Sequence, residues 1–332
     1  MSRTLVFLYR VIGRERRRYR SWLYRRVLGL RASGFRSGRR LRLKADHLRI
    51  GANVSLGDNV RIRCHRLTIE DGASIGNNVT IDGIGDVYIG AYAMIGDEVY
   101  IDGLKSATLL IGHHSWIGRR SILNASADLT IGQRVCVGIG SRIFTHGCWW
   151  EAVEGYPSSY KPVTIRDDAW LALGVTVQPG ADIEAHVFVN SGAVVTGRLS
   201  AHGTYAGVPA IRKGEWRPED LSLREKYLII FRRLNGLSAT EHTFETGMPF
   251  DFMNGEREIQ VVFWESRPPS LINGAINLVP AVGDPLAIKG QIAVIDMSKK
   301  VSYGDEQLAH PLINFLKDHT LRILPCKYAD CG

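Results

Sequence analysis

The chain has 332 residues, 45% of them hydrophobic, and a formal net charge of +9. That is enough for more than one core and suggests two folded domains, while no run approaches the roughly 18 apolar residues of a membrane span. Leu5 to Tyr9 is too short for a secretory signal core, and five cysteines without paired spacing (Cys64, Cys136, Cys148, Cys326 and Cys331) fit a reducing compartment, so a cytoplasmic location is expected.

Residues 1–48 hold fourteen Arg and one Lys against Glu15 and Asp46, a local charge of +13, which leaves +9 − 13 = −4 for the other 284 residues. Among the arginines, Leu5, Leu8, Tyr9 and Ile12, then Trp22, Leu23, Val27 and Leu30, recur at spacings near three and four. This pattern predicts basic amphipathic helices. Such a segment suits the inner face of an anionic membrane, with Tyr19, Trp22 and Tyr24 at the headgroup boundary. The alternative is a helix that covers the open strand edge of whatever follows. Arginine runs also bind phosphate backbones, but nothing else in the chain has the character of a nucleic-acid module, and no nucleic acid is expected.

Between Ile50 and Ala210, within a domain expected to span 49–215, an aliphatic residue followed by a small or acidic one recurs every six positions, as in Ile75-Gly76-Asn77-Asn78-Val79-Thr80 and Ile95-Gly96-Asp97-Glu98-Val99-Tyr100. A short fixed period marks a solenoid, whose units bury their apolar face only by stacking on one another. Ile50, Ile69, Ile89, Ile111 and Ile131 lie 19, 20, 22 and 20 residues apart, so each turn is three hexads and a small loop. One inward aliphatic residue per six, with Gly, Asn or Asp near the corners where positive φ is cheap, predicts three short flat strands closing a triangular coil. An ordinary sandwich would alternate with period two instead.

The spacing fails once, because Ile131 to Ile165 is 34 residues, one turn plus a 16-residue excursion. Thr145-His146-Gly147 stands just before the excursion. A long loop thrown from a rigid scaffold is commonly functional, and histidine is the side chain whose ordinary pKa lies nearest neutrality.

Beyond Ala210 the hexads stop. Residues 216–332 read as an α+β region with a helix over Leu221 to Leu234. Strands follow at Ile259 to Trp264, Ala275 to Pro280 and Gln291 to Met297, then a last helix at Glu306 to Lys317. It contains no recognisable catalytic motif and is expected to serve assembly or acceptor choice.

The hexads, the Thr145-His146 pair opening a loop, the re-entry at Lys161-Pro162-Val163, Ala169-Trp170-Leu171-Ala172-Leu173-Gly174, Pro179-Gly180, the segment Ser191 to Thr196 and the closing Gly207-Val208-Pro209-Ala210 together resemble the hexapeptide-repeat acyltransferases. This likeness covers about half the chain. It implies a left-handed parallel β-helix, a homotrimer, acetyl-CoA as co-substrate without a metal, and His146 as catalytic base. It places coenzyme A in a groove between subunits, against Ala172, Gly174, Ser191 and Thr196, with Arg212 and Lys213 toward its phosphates. The acceptor falls to the loop residues Trp149, Trp150, Glu151, Glu154 and Tyr160, whose aromatic rings suit stacking on sugars or packing on the next subunit. The chain departs from the sugar acetyltransferases at Trp149 and Ser158, where an Asp and a Glu are common, and at Gly197 and Ile211, where basic residues are. Glu151 or Glu154 is left to supply the carboxylate.

The activity implied is acetyl-CoA-dependent O-acetylation of a sugar hydroxyl in surface polysaccharide or glycolipid synthesis. N-acetylation of an amino-sugar nucleotide and a non-catalytic trimeric scaffold are the alternatives. Cys148 is a rival nucleophile that lacks an identifiable orienting group. A zinc site is not expected, because adjacent His113 and His114 face opposite sides of a strand and no other pair is close.

Overall fold

The computed structural model describes residue 26, residues 33–148, 151–235, 245–254 and 257–266, and beyond these 268, 270–272, 275–280, 293–297, 300–304, 309–310, 312–313, 316 and 324–325. Most of the helices expected within 1–48, together with Trp149 and Trp150, lie outside the described residues. The chain divides into two compact units, 1–217 and 218–332.

The first unit is a parallel β-solenoid, and its register follows the isoleucine spacing. Ile50 pairs with Ile69, Ile69 with Ile89, Ile89 with Ile111, Ile111 with Ile131, Ile131 with Ile165, Ile165 with Ile183 and Ile183 with Leu199. The 34-residue gap is therefore a single step in the stack, and the excursion leaves the ladder unbroken. Ile50 is 7% exposed, Leu199 4%, and every side chain between them in this column 0%. Each buried isoleucine contributes about 1.5–3 kcal/mol, and the core is one continuous apolar column because every rung offers the same residue type at the same point.

Three faces close the triangle. One sheet carries the first face, from Arg36–Ser37 through Gly203–Ala206, and the other carries the second and third faces. Among the described residues stacking begins at Arg36, within the basic segment, where Phe35 and Leu41 are already buried. Corners between faces are held by short polar residues: Asn59 and Asn78 both sit at φ 57°, and Asp58 N–H donates to Asn77 Oδ1 at 2.8 Å. Asn and Asp accept this left-handed geometry at low cost. At the far end Ile211–Glu215 folds back antiparallel on Gly203–Ala206, covering the edge that the last coil would otherwise expose.

The second unit is an α+β region. Its helix, Leu223–Asn235, lies within two residues of the predicted bounds, and Arg257–Phe263, Ala275–Val279 and Ala293–Asp296 answer to the three predicted strands. Pro249–Asn254, Val301–Gly304 and Leu324–Pro325 complete a mixed six-stranded sheet that the pattern did not show. Ala309, Leu312, Ile313 and Leu316, within the last predicted helix, are helical and buried. Tyr227 is fully buried, its hydroxyl 2.9 Å from the Trp264 carbonyl and 3.0 Å from that of Leu278. No helix among the described residues is long and apolar enough to cross a membrane.

Candidate active site

The excursion leaves the solenoid where the second face turns into the third. Its two ends are zipped together: His146 stands opposite Tyr160 and Gly147 opposite Ser159 in an antiparallel pair, and Lys161 N–H donates to the Thr145 carbonyl at 2.9 Å. Thr145 is wholly buried. Its hydroxyl accepts Ala127 N–H at 2.9 Å and donates to the Asn124 carbonyl at 3.0 Å. The base of the loop is thus tied to the coil before it by the residue next to the histidine.

The imidazole itself is oriented by Asn124. His146 Nδ1 lies 2.7 Å from Asn124 Oδ1, while Asn124 Nδ2 donates to Asp102 Oδ1 at 2.9 Å on the rung below. Because the amide nitrogen faces a carboxylate, the amide oxygen faces the ring. An amide oxygen only accepts, so the network assigns the proton to Nδ1 and leaves the lone pair on Nε2. Asn124 is 6% exposed, and its Oδ1 also accepts Ser126 N–H at 3.1 Å, so the orienting group is itself held in place. Asp102, Asn124 and His146 form a relay across three successive coils, with the carboxylate polarising the amide toward the imidazole.

Tyr160 stacks on the other side of the ring, with centroids 5.9 Å apart and planes 21° from parallel. Its hydroxyl lies 3.1 Å from Cys148 Sγ, and that hydrogen bond, with electrostatic repulsion from the sulfur as the second cause, raises the phenol above its ordinary pKa. The thiol therefore engages Tyr160, and the imidazole engages Asn124. A Cys/His relay needs the thiol hydrogen-bonded to the imidazole, and among the described residues Cys148 Sγ makes its hydrogen bond to Tyr160 and none to His146.

The remaining predicted residues are spread over the prism. Glu151 and Glu154 are exposed at the 3-10 turn Ala152–Glu154 within the loop. Ala172, Gly174 and Ser191 share the corner between the first and second faces, where Leu173 N–H reaches Ser191 Oγ at 3.3 Å. Thr196 stands on the corner from which the loop departs, farther along the stack. Arg212 and Lys213 are exposed on the fold-back strand, where Arg212 pairs with Glu215 at 3.3 Å. Within one chain, then, His146 and the Ala172-Gly174-Ser191 group lie on different corners, separated by the second face. Asn124 and Asp102 went unseen in the sequence, although one coil length back from His146 falls on Asn124. Among the described residues no group of three or more His, Cys, Asp or Glu is placed to hold a metal ion.

No family model matches the chain. A Schizosaccharomyces pombe protein that carries a provisional acetyltransferase name is 33% identical over 93 residues, 27% of this chain and 45% of that protein, so the match spans less than half the relative's length. Similar solved structures include a polysialic-acid-specific acetyltransferase, 18% identical over 59% of this chain and 90% of that one with a TM-score of 0.39. A polysialic acid O-acetyltransferase is 18% identical over 58% and 93% of the two chains, with a TM-score of 0.37. A hexapeptide-repeat acetyltransferase from Vibrio cholerae, solved with acetyl coenzyme A, is 20% identical over 40% and 69%, with a TM-score of 0.30. The solenoid of the present chain rests on its own strand register.

Proposed function

We propose that the protein is an acetyl-CoA-dependent O-acetyltransferase acting on a sugar hydroxyl, with His146 as general base. The observation that carries this reading is the imidazole whose Nδ1 is committed to Asn124 Oδ1 at 2.7 Å, which leaves Nε2 as a proton acceptor at the root of a long loop. As the acceptor oxygen attacks the thioester carbonyl, Nε2 takes its proton. The new C–O bond forms and the C–S bond breaks. The proton on the imidazolium then passes to the departing thiolate, which leaves as free coenzyme A. Asn124 Oδ1 and, through it, Asp102 stabilise the transient imidazolium. The thioester is already activated, so no acyl-enzyme is required.

Coenzyme A is placed along Ala172, Gly174, Ser191 and Thr196, with Arg212 and Lys213 toward its phosphates. Glycines support this placement. A Cβ on Gly174 or Gly192 would meet nothing within 4 Å, so this corner is open enough for a ligand to lie against backbone. Since His146 stands on another corner, a second copy of the chain would complete the cleft, which supports an oligomer; that it is a trimer is what the resemblance implies. Trp149, Trp150, Glu151, Glu154 and Tyr160 are assigned to the acceptor. The partial likeness to an acetyltransferase agrees with this reading.

The test follows thiol release from acetyl-CoA over a panel of sugar nucleotides and glycolipids, hydroxyl and amino acceptors alike, with His146→Ala alongside. Release that requires a hydroxyl acceptor and is lost in the variant is expected. Full activity in His146→Ala removes the mechanism, and transfer confined to amino sugars removes the O-acetyl assignment.

A further inference from the structure

The solenoid divides its charge along its length. Residues 33–69, which build its first coils, hold nine Lys and Arg against Asp46 and Asp58, a charge of +7 by sequence, whereas residues 70–217 hold eleven against fifteen Asp and Glu, or −4. On the second face the cations are stacked on one another: Arg42 stands in register with Arg61 and Lys44 with Arg63, all four exposed, while Ile62 between them is buried. Like charges directly opposite on neighbouring strands are destabilising.

The fold relieves only part of this repulsion. Arg61 and Arg63 both reach Asp82 on the next rung, Arg66 reaches Asp86 at 3.7 Å, and Arg49 reaches Glu70 at 3.8 Å. Asp46 is taken up by His65 at 2.9 Å, and Asp58 accepts the backbone N–H of Arg39 at 2.6 Å. Arg36, Arg39 and Arg40 are exposed and stand in no ion pair among the described residues. In the sequence this surface continues directly into residues 1–32, with ten further Arg against Glu15.

We propose that this end of the solenoid docks on an anionic lipid bilayer, its basic rungs lying against the headgroups. The surface is distinct from the site assigned to acyl transfer and does not depend on that assignment. A bilayer fits better than single-stranded nucleic acid, because Phe35 is the only Phe, Tyr or Trp in residues 33–69 and is buried, so the surface has none of these rings on which bases could stack. The adjoining sequence holds Tyr19, Trp22 and Tyr24, residue types that settle at a headgroup boundary. Flat exposed strands bearing many single charges match a planar anionic surface, where each Lys or Arg strengthens binding about fivefold.

The full-length chain carrying Arg40→Glu and Lys44→Glu tests this. Both changes are compatible with the fold: Glu98 occupies the corner equivalent to Arg40 at φ 60°, and a glutamate at 44 faces Arg63. Co-sedimentation is measured with vesicles of phosphatidylcholine and phosphatidylglycerol, against phosphatidylcholine alone, with a DNA duplex as competitor at the same salt. The wild type is expected to bind only the anionic vesicles, and the variant to bind them about 25-fold more weakly or worse, with an unchanged thermal midpoint. Equal binding by the variant, no binding by the wild type, or tighter binding to the duplex than to the vesicles overturns the proposal.

Discussion

The two ends of the solenoid share one backbone and differ in what stands on its corners. Between the first and second faces the early coils place Arg40, Asn59, Asn78, Glu98 and Arg120 at φ between 55° and 60°, and the later coils place Gly140, Gly174 and Gly192 at 64–72°. Five residues with side chains show that the turn does not demand glycine. Nor does crowding: a Cβ on Gly57 would lie 2.5 Å from the backbone of the next coil, whereas one on Gly140, Gly174 or Gly192 would meet nothing within 4 Å. The early coils are tied corner to corner by side chains and carry the positive charge. Late coils leave a corner bare, one face away from the corner at which the excursion carrying His146 departs. One repeat therefore has corners tied by side chains at one end and corners bare of them at the other, where the proposed coenzyme site lies.

The sharpest way to break this comparison is His146→Ala. A general base contributes about 10²- to 10⁴-fold, so turnover of acetyl-CoA is expected to fall by that factor with no change in thermal midpoint, since the ring is half-buried in a loop. Ile101→Ala does the reverse. That side chain is 0% exposed, and truncating it is expected to cost about 2–5 kcal/mol in denaturant unfolding while residual folded protein keeps its turnover.

Asn124→Ala sits between the two. Loss of a hydrogen bond to a group that becomes charged costs about 1.5–3 kcal/mol, so kcat is expected to fall about 10- to 150-fold. The acetyl-CoA KM should stay near that of the wild type, which a merely destabilised site would not preserve. Gly192→Asn sharpens the corner argument, because Asn59 and Asn78 show that asparagine accepts the turn. Unfolding should shift little while KM for acetyl-CoA rises about tenfold, about 1.4 kcal/mol. An unchanged KM would place the coenzyme elsewhere.

The smallest effect concerns His113. Its Nδ1 accepts the Ala91 N–H at 2.8 Å, and burial lowers its pKa below the ordinary histidine value, against an opposing pull from Glu70 and Asp167. A depressed folded-state pKa favours the neutral ring. The stability it contributes is therefore present above the ordinary histidine range and lost as pH falls through that range toward the lowered value. Asp71 and Asp167 accept the equivalent N–H of Ala52 and Gln133 at 2.7 and 2.8 Å. His113→Asp is expected to keep the bond and flatten the mildly acidic arm of stability against pH, by no more than the roughly 0.5–1.5 kcal/mol of one hydrogen bond.

Much of the solenoid was legible because its information is one-dimensional. A residue type recurring at nearly fixed spacing must stack on itself, and even the 34-residue gap declared a single step. The first coil was masked, since the arginines around Phe35 and Leu41 made a charged tail the natural reading. In the second unit, strands with continuous apolar runs such as Ala275–Val279 were readable. Pro249–Asn254 was not, because it follows no such run and joins the sheet only by pairing with Arg257–Phe263.

By itself the sequence determined a triangular coil, the place where a loop leaves it and the histidine at the root of that loop, because each depends on spacing along the chain. The hand of the coil came from resemblance, as spacing is blind to it. Only the tertiary structure decided what holds the imidazole: Asn124 lies 22 residues before His146, and Asp102 another 22 before Asn124. These three side chains meet because successive rungs are stacked in register, and proximity between rungs is a property of the folded stack that no local stretch of chain contains.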